Sequence, residues 1–112
     1  MTRYLISFND GAMNFPEEEL ADVAKAAYEV VQEAKDAGVW VFGGGLESQK
    51  ASVVATDGTI TDGPYPETKA VLGGFAVVDV PAREEALEWA AKIAVACRCA
   101  QQVRHLLPDP AV

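Results

Sequence analysis

The sequence predicts an α+β domain: a ferredoxin-like antiparallel sheet with two helices on one face, closed into a dimeric α+β barrel by a second copy. Segments of period-two or β-branched character alternate with two stretches of three- and four-residue apolar spacing. Their order is strand, helix, strand, hairpin, strand, helix, strand, which suits an antiparallel sheet with its helices on one side. Half of the 112 residues are apolar, so one core is available without disulfides or metals. Two helices cover only one face of such a sheet, and the same face of a second copy is the simplest cover for the other.

The elements follow in chain order. Tyr4, Ile6 and Phe8 alternate with Leu5 and Ser7 as a first strand, which Asn9-Asp10-Gly11 ends. Pro16 suits a first helical turn, and Glu17, Glu18 and Glu19 sit where the positive end of the helix dipole favours carboxylates. Leu20, Val23, Ala24, Ala27, Val30, Val31 and Ala34 then form an apolar stripe, and Gly38 supplies the stop. Val39 to Phe42 lead into Gly43-Gly44-Gly45, a strand ending in a bulge or a close backbone approach. Ser52 to Ala55 read as a strand, and Asp57-Gly58 as a two-residue turn with positive φ at both positions that folds Thr59-Ile60-Thr61 back. Phe75 to Val80 are a further strand. Pro81, Glu84 and Glu85 open a second helix with Ala86, Ala90, Ile93, Ala94 and Cys97 on one face, and Gln101 to Leu107 form the last strand.

Residues 1–112 read as one domain without internal repeat or low-complexity linker. The formal net charge of −8, from 17 acidic and 9 basic residues, repels phosphate backbones and argues against nucleic-acid binding. No apolar stretch approaches the ~20 residues of a membrane span. The first residues turn polar at Asn9-Asp10, too soon for a secretory signal, so the expected location is the cytoplasm.

The densest chemistry lies in Asp62-Gly63-Pro64-Tyr65-Pro66-Glu67-Thr68-Lys69, followed by Leu72-Gly73-Gly74-Phe75. Pro64 and Pro66 fix their own φ and hold Gly63 and Tyr65 extended, which predicts a rigid loop. This stretch resembles the signature of the YCII-related proteins, in the branch named for its Asp-Gly-Pro-Phe motif, with Tyr65 where that branch usually has Phe. The opening strand, the Gly-rich strand end with Leu46, Asp79-Val80-Pro81 and Glu85-Ala86-Leu87-Glu88-Trp89-Ala90 are also similar to their family counterparts. Gly44 stands near a position that is commonly acidic in the family, and His105 where Pro is common. The resemblance implies a homodimer whose barrel cavity binds a small organic molecule. Members are often encoded beside sigma factors of the extracytoplasmic-function class, which implies the alternative of a non-catalytic accessory or regulatory module.

Asp62, Glu67 and Lys69 suit the mouth of a cavity, Asp62 as a carboxylate base and Lys69 as a cation for a negative group, with Thr68 adding a hydroxyl. The competing reading is structural: Asp62 accepts hydrogen bonds within its own loop, and Lys69 joins a surface ion pair. Gly63, Pro64, Tyr65, Pro66, Gly73 and Gly74 shape the loop in either case. Arg104 faces away from Val103 and His105, either into the barrel, where it would clamp a carboxylate, or to solvent. His105, the only histidine, reads as an edge-strand residue, since the His and Asp pair associated with the wider family near the chain start has no histidine here. Cys97 and Cys99, one residue apart, suit neither a zinc pair nor easy disulfide geometry and read as buried thiols. No metal or cofactor is expected. Gly43-Gly44-Gly45 lacks the Lys-Ser or Lys-Thr that a phosphate cradle needs. Tyr28, Trp40 and Trp89 read as core or interface aromatics.

Overall fold

The computed structural model describes residues 1–48, 51–63 and 72–112, and the expected order of elements holds in it. Strands β1 (Thr2–Asn9), β2 (Trp40–Gly45), β5 (Leu72–Val80) and β6 (Gln102–His105) form a four-stranded antiparallel sheet in the order β2-β5-β1-β6. Strands β3 (Ser52–Val54) and β4 (Ile60–Asp62) form a separate hairpin. Helices α1 (Leu20–Asp36) and α2 (Arg83–Cys97) supply the two crossovers, so the topology is ferredoxin-like. Glu17–Glu19 form a 3-10 turn behind Pro16, so the three carboxylates lie just ahead of α1 and not in its first turn.

Period two in β1 and β5 sorts the sheet into two faces. Tyr4, Ile6, Ala76, Val78 and Val80 are buried under the helices with Ala86 and Ala90 of α2, and Val103, Trp89 and Ile93 pack against them. Leu5, Ser7, Phe75 and Val77 alternate with that set and face away from the helices. Ala96 adds to the buried face of α2 beyond the residues that spacing alone suggested.

Gly11, Gly38 and Gly58 carry the chain through the left-handed region at turns. Gly38, at φ 75°, ends α1: its own N–H donates to Lys35 and that of Val39 to Ala34. This pair of bonds satisfies the last free carbonyls of the helix. At α2 the same task falls to a non-glycine, Arg98 at φ 58°, whose side chain donates to Glu19 at 2.5 Å. Lys92 likewise pairs with Glu33, so one exposed ion pair ties α2 to α1 and the other ties the residue after α2 to the 3-10 turn ahead of α1.

The hairpin differs from expectation. Gly58 has φ 88° and Asp57 does not share the positive φ of a two-residue turn. Gly58 N–H donates to Ala55 and Ala55 N–H to Thr59, so the connection is a three-residue loop with glycine at the left-handed position. Asp57 accepts from Thr59 N–H at 2.9 Å, an Asx contact that favours αR at Asp57 and holds its carboxyl below the usual carboxylate range. The bulge in β2 also lies upstream of the glycines. Trp40 pairs with Val78 and Phe42 with Val77, so Val41 is the extra residue.

Candidate functional site

A cavity of about 460 Å³ opens between the helices and the sheet, and its wall is mostly apolar. Ile6 and Ala76 supply its floor, with Val31 of α1 and Ile93 of α2 above them. Trp40 reaches this side because the Val41 bulge turns it toward the helices. Phe8 reaches it by alternation from Tyr4 and Ile6.

Each neighbouring glycine has a distinct physical role. A Cβ on Gly43 would lie 2.4 Å from the Phe75 carbonyl oxygen and 2.8 Å from the Ala76 Cα, so this is the close backbone approach expected of the glycine run. A Cβ on Gly74 would lie 2.6 Å from the Phe8 ring, and one on Gly73 2.9 Å from it. Gly73 and Gly74 therefore let Phe8 lie flat against β5 and form a cavity wall, a reason for them that the loop reading did not contain. A Cβ on Gly45 meets nothing within 4 Å.

Polar groups on the wall are few. Tyr28 and Lys35 follow the α1 stripe through Val31, and Gln101 donates to the Cys99 carbonyl at 3.3 Å and to its Sγ at 3.5 Å. The Cys97 thiol lines the same space, and burial, with a smaller contribution from Cys99, pushes its pKa up. Burial also raises Cys99, partly opposed by the Gln101 hydrogen bond. Both thiols are thus protonated at neutral pH, unlike activated nucleophiles. Tyr28 is 74% exposed, so it stands at the cavity rim and not in the core. Tyr28 and Lys35 escaped notice as site residues because single-sequence reading assigns a Lys to the solvent side. Their spacing of three and four residues from Val31 was the available signal.

Asp62 and Arg104, the two described members of the set expected to act together, lie on separate sheets. Asp62 is exposed at the end of β4, where it accepts from Ser52 Oγ across the hairpin at 2.5 Å, and Gly63 N–H donates to the Ala51 carbonyl. Arg104 lies on the sheet face away from the helices, its Nη1 3.5 Å from Oγ of the fully buried Ser7. Neither Asp62 nor Arg104 is among the described residues lining the cavity. Pro64, Tyr65, Pro66, Glu67, Thr68 and Lys69 lie outside the described residues. His105 is exposed and stacks on Tyr4, with ring centroids 5.3 Å apart. Cys97 and Cys99 are free thiols. Among the described residues no cluster of three or more His, Cys, Asp or Glu has metal-ligand geometry, and no helix is long and apolar enough to cross a membrane.

No match was found among curated proteins. Among solved structures, the chain is similar to 5-chloro-2-hydroxyhydroquinone dehydrochlorinase (TftG) from Burkholderia phenoliruptrix AC1100, in complex with 2,5-dihydroxybenzoquinone. The TM-score is 0.55 at 15% identity, over 97% of each chain, a likeness of fold. The family model of the YCII-related domain matches residues 2–105, nearly the whole antiparallel sheet and both helices. The chain therefore belongs to the YCII-related family.

Proposed function

We propose that this protein binds a small organic molecule in the cavity between its helices and its sheet, and that it does so as a homodimer joined through the open sheet face. The observation that carries the reading is the cavity itself. Its volume of about 460 Å³ is that of a small-molecule site, and a mostly apolar wall with a few polar groups fits such a role. TftG, of the same fold, holds 2,5-dihydroxybenzoquinone, a molecule that fits a space of this size.

The dimer is supported by the open face, where Phe42 is 58% exposed and packs edge-on against Phe75, 5.4 Å between ring centroids. The Asp62-Gly63-Pro64-Tyr65 stretch supports membership of the Asp-Gly-Pro-Phe branch. Asp62 as a base, with Glu67, Thr68, Lys69 and Arg104 as binding groups, forms the polar set that would act on a ligand in the assembled protein.

Native mass spectrometry of the purified protein, with calorimetric titration of phenols and quinones including 2,5-dihydroxybenzoquinone, tests this. A bound mass lost on denaturation, or binding that Trp40→Ala abolishes while the fold persists, is the expected result. If no such molecule is retained or bound at millimolar concentration while a transcription protein co-purifies, the accessory-module reading takes its place.

A further inference from the structure

We propose that the cavity selects a small planar aromatic anion, Lys35 setting the sign of charge it accepts and the absent side chain of Gly45 the length of ring system it holds. This rests on the cavity reading above and specifies its ligand.

Planarity follows from the floor. On the helix side of the sheet, the row Phe8, Gly74, Gly45 runs across β1, β5 and β2, and the next row sets Gly43 beside Ala76. Of these, Gly74 is covered by the Phe8 ring, while Gly43 and Gly45 present backbone without a side chain to the cavity. Backbone bordered by the Phe8 and Trp40 rings is a flat slot, and flat apolar surfaces favour planar groups over puckered ones through stacking and close dispersion contact.

The charge preference follows from the inventory of the wall. Lys35 is the only charged side chain lining the cavity among the described residues. The ion pairs of Lys92 and Arg98 lie outside this cavity, and the Lys35 side chain makes no hydrogen bond or ion pair with a described residue. An ammonium beside an apolar cavity attracts a carboxylate or phenolate and disfavours a cation. The excess of acidic residues over basic ones, 17 against 9, makes a wall whose only charge is positive the more distinctive.

The size limit follows from Gly45. Its backbone is outside the positive-φ region, so any residue can adopt it, and a Cβ there meets nothing within 4 Å. Glycine at this position is required neither by conformation nor by packing. Its effect is to leave cavity volume unfilled. Gly44 also lines the cavity, but it pairs with Phe75 in the row whose side chains face away from the helices, so a side chain added there points away from the cavity and Gly44 serves as the control.

The test is calorimetric titration of the full chain with 2-naphthoate, 2-naphthamide, benzoate and cyclohexanecarboxylate. Wild-type protein is expected to bind 2-naphthoate about tenfold or more tightly than the neutral amide, as one charge-assisted hydrogen bond implies. Benzoate should exceed cyclohexanecarboxylate. Lys35→Met removes the preference for the acid and Lys35→Arg keeps it. Gly45→Val weakens 2-naphthoate at least tenfold and spares benzoate, Gly45→Ala is intermediate, and Gly44→Val changes neither. Melting curves of each variant separate loss of binding from loss of fold. If no aromatic probe binds wild-type protein, the cavity reading itself falls. If acid and amide bind equally, or Lys35→Met keeps the preference, charge selection is overturned with the cavity intact. Equal affinity for the cyclohexane acid overturns planarity, and unchanged 2-naphthoate binding by Gly45→Val overturns the size limit.

Discussion

Three consecutive glycines in β2 show how much a single residue's meaning depends on register. The run in the sequence allowed a bulge or a close approach, and only pairing with β5 separates the roles of Gly43, Gly44 and Gly45. Gly43→Ala must push β2 away from β5, because backbone atoms, not a flexible side chain, occupy the space. The expected cost is about 1–3 kcal/mol, a fall of several degrees in melting temperature, whereas Gly45→Ala should melt within a degree or two of wild type. Cys97 gives a pH test at the same scale. Burial raises its pKa, so folding favours the protonated thiol. That contribution is complete below the unfolded pKa of about 8.5 and is lost as pH rises through the folded value. Melting temperature should therefore decline above about pH 9 in wild type, and the decline should shrink in Cys97→Ala. Asp62 marks the limit of what the sequence could tell at this scale: a carboxylate in a turn-rich stretch reads as a base or as a turn acceptor, and its Ser52 partner, ten residues upstream, follows only from hairpin register.

At the scale of the element, the same substitution should have unequal effects in two places. Gly38 and Gly58 both hold positive φ, where an L side chain costs about 1–2 kcal/mol. Gly38 ends a helix packed on the core, so Gly38→Ala should lower the global melting temperature by several degrees. Gly58 turns a hairpin whose strands, among the described residues, pack only on each other. Gly58→Ala should speed amide exchange in β3 and β4 with little change in the global transition, which parallel exchange and calorimetry would check. The elements themselves were legible because helix periodicity, β-branched runs and glycine stops agree along the chain. The turn was not, since Asp57-Gly58 is compatible with two- and three-residue loops, and the choice lies in a hydrogen bond to Asp57 that composition does not encode.

The whole molecule is flatter and wider than its length implies. Its radius of gyration is 15.5 Å and its extents 44 × 43 × 19 Å, against about 13 Å for the radius of a compact domain of this length. Val53, Val54 and Ile60 of the outlying hairpin are 49%, 66% and 66% exposed. The proposed dimer gives these features an explanation, and light scattering should report about 24 kDa, twice the 11.9 kDa of one chain. Phe42→Asp, which places a charge on the open face, should yield monomer at micromolar concentration while circular dichroism is retained. The topology was readable from element order alone. The cavity was not, because it is made by residues distant in sequence whose side chains are individually ordinary.

One inserted residue in β2 has a consequence for regulation. Without Val41 as the extra residue, Trp40 and Phe42 would share a face; with it, one lines the cavity and the other stands on the open surface, two positions apart on a single strand. Ligand contact and subunit contact are thereby mechanically joined through one short piece of backbone. If an occupied cavity shifts β2 enough to strengthen self-association, thermodynamic reciprocity requires self-association to strengthen occupancy by the same factor. Ligand affinity would then rise with protein concentration, so the abundance of the protein would itself tune its sensitivity.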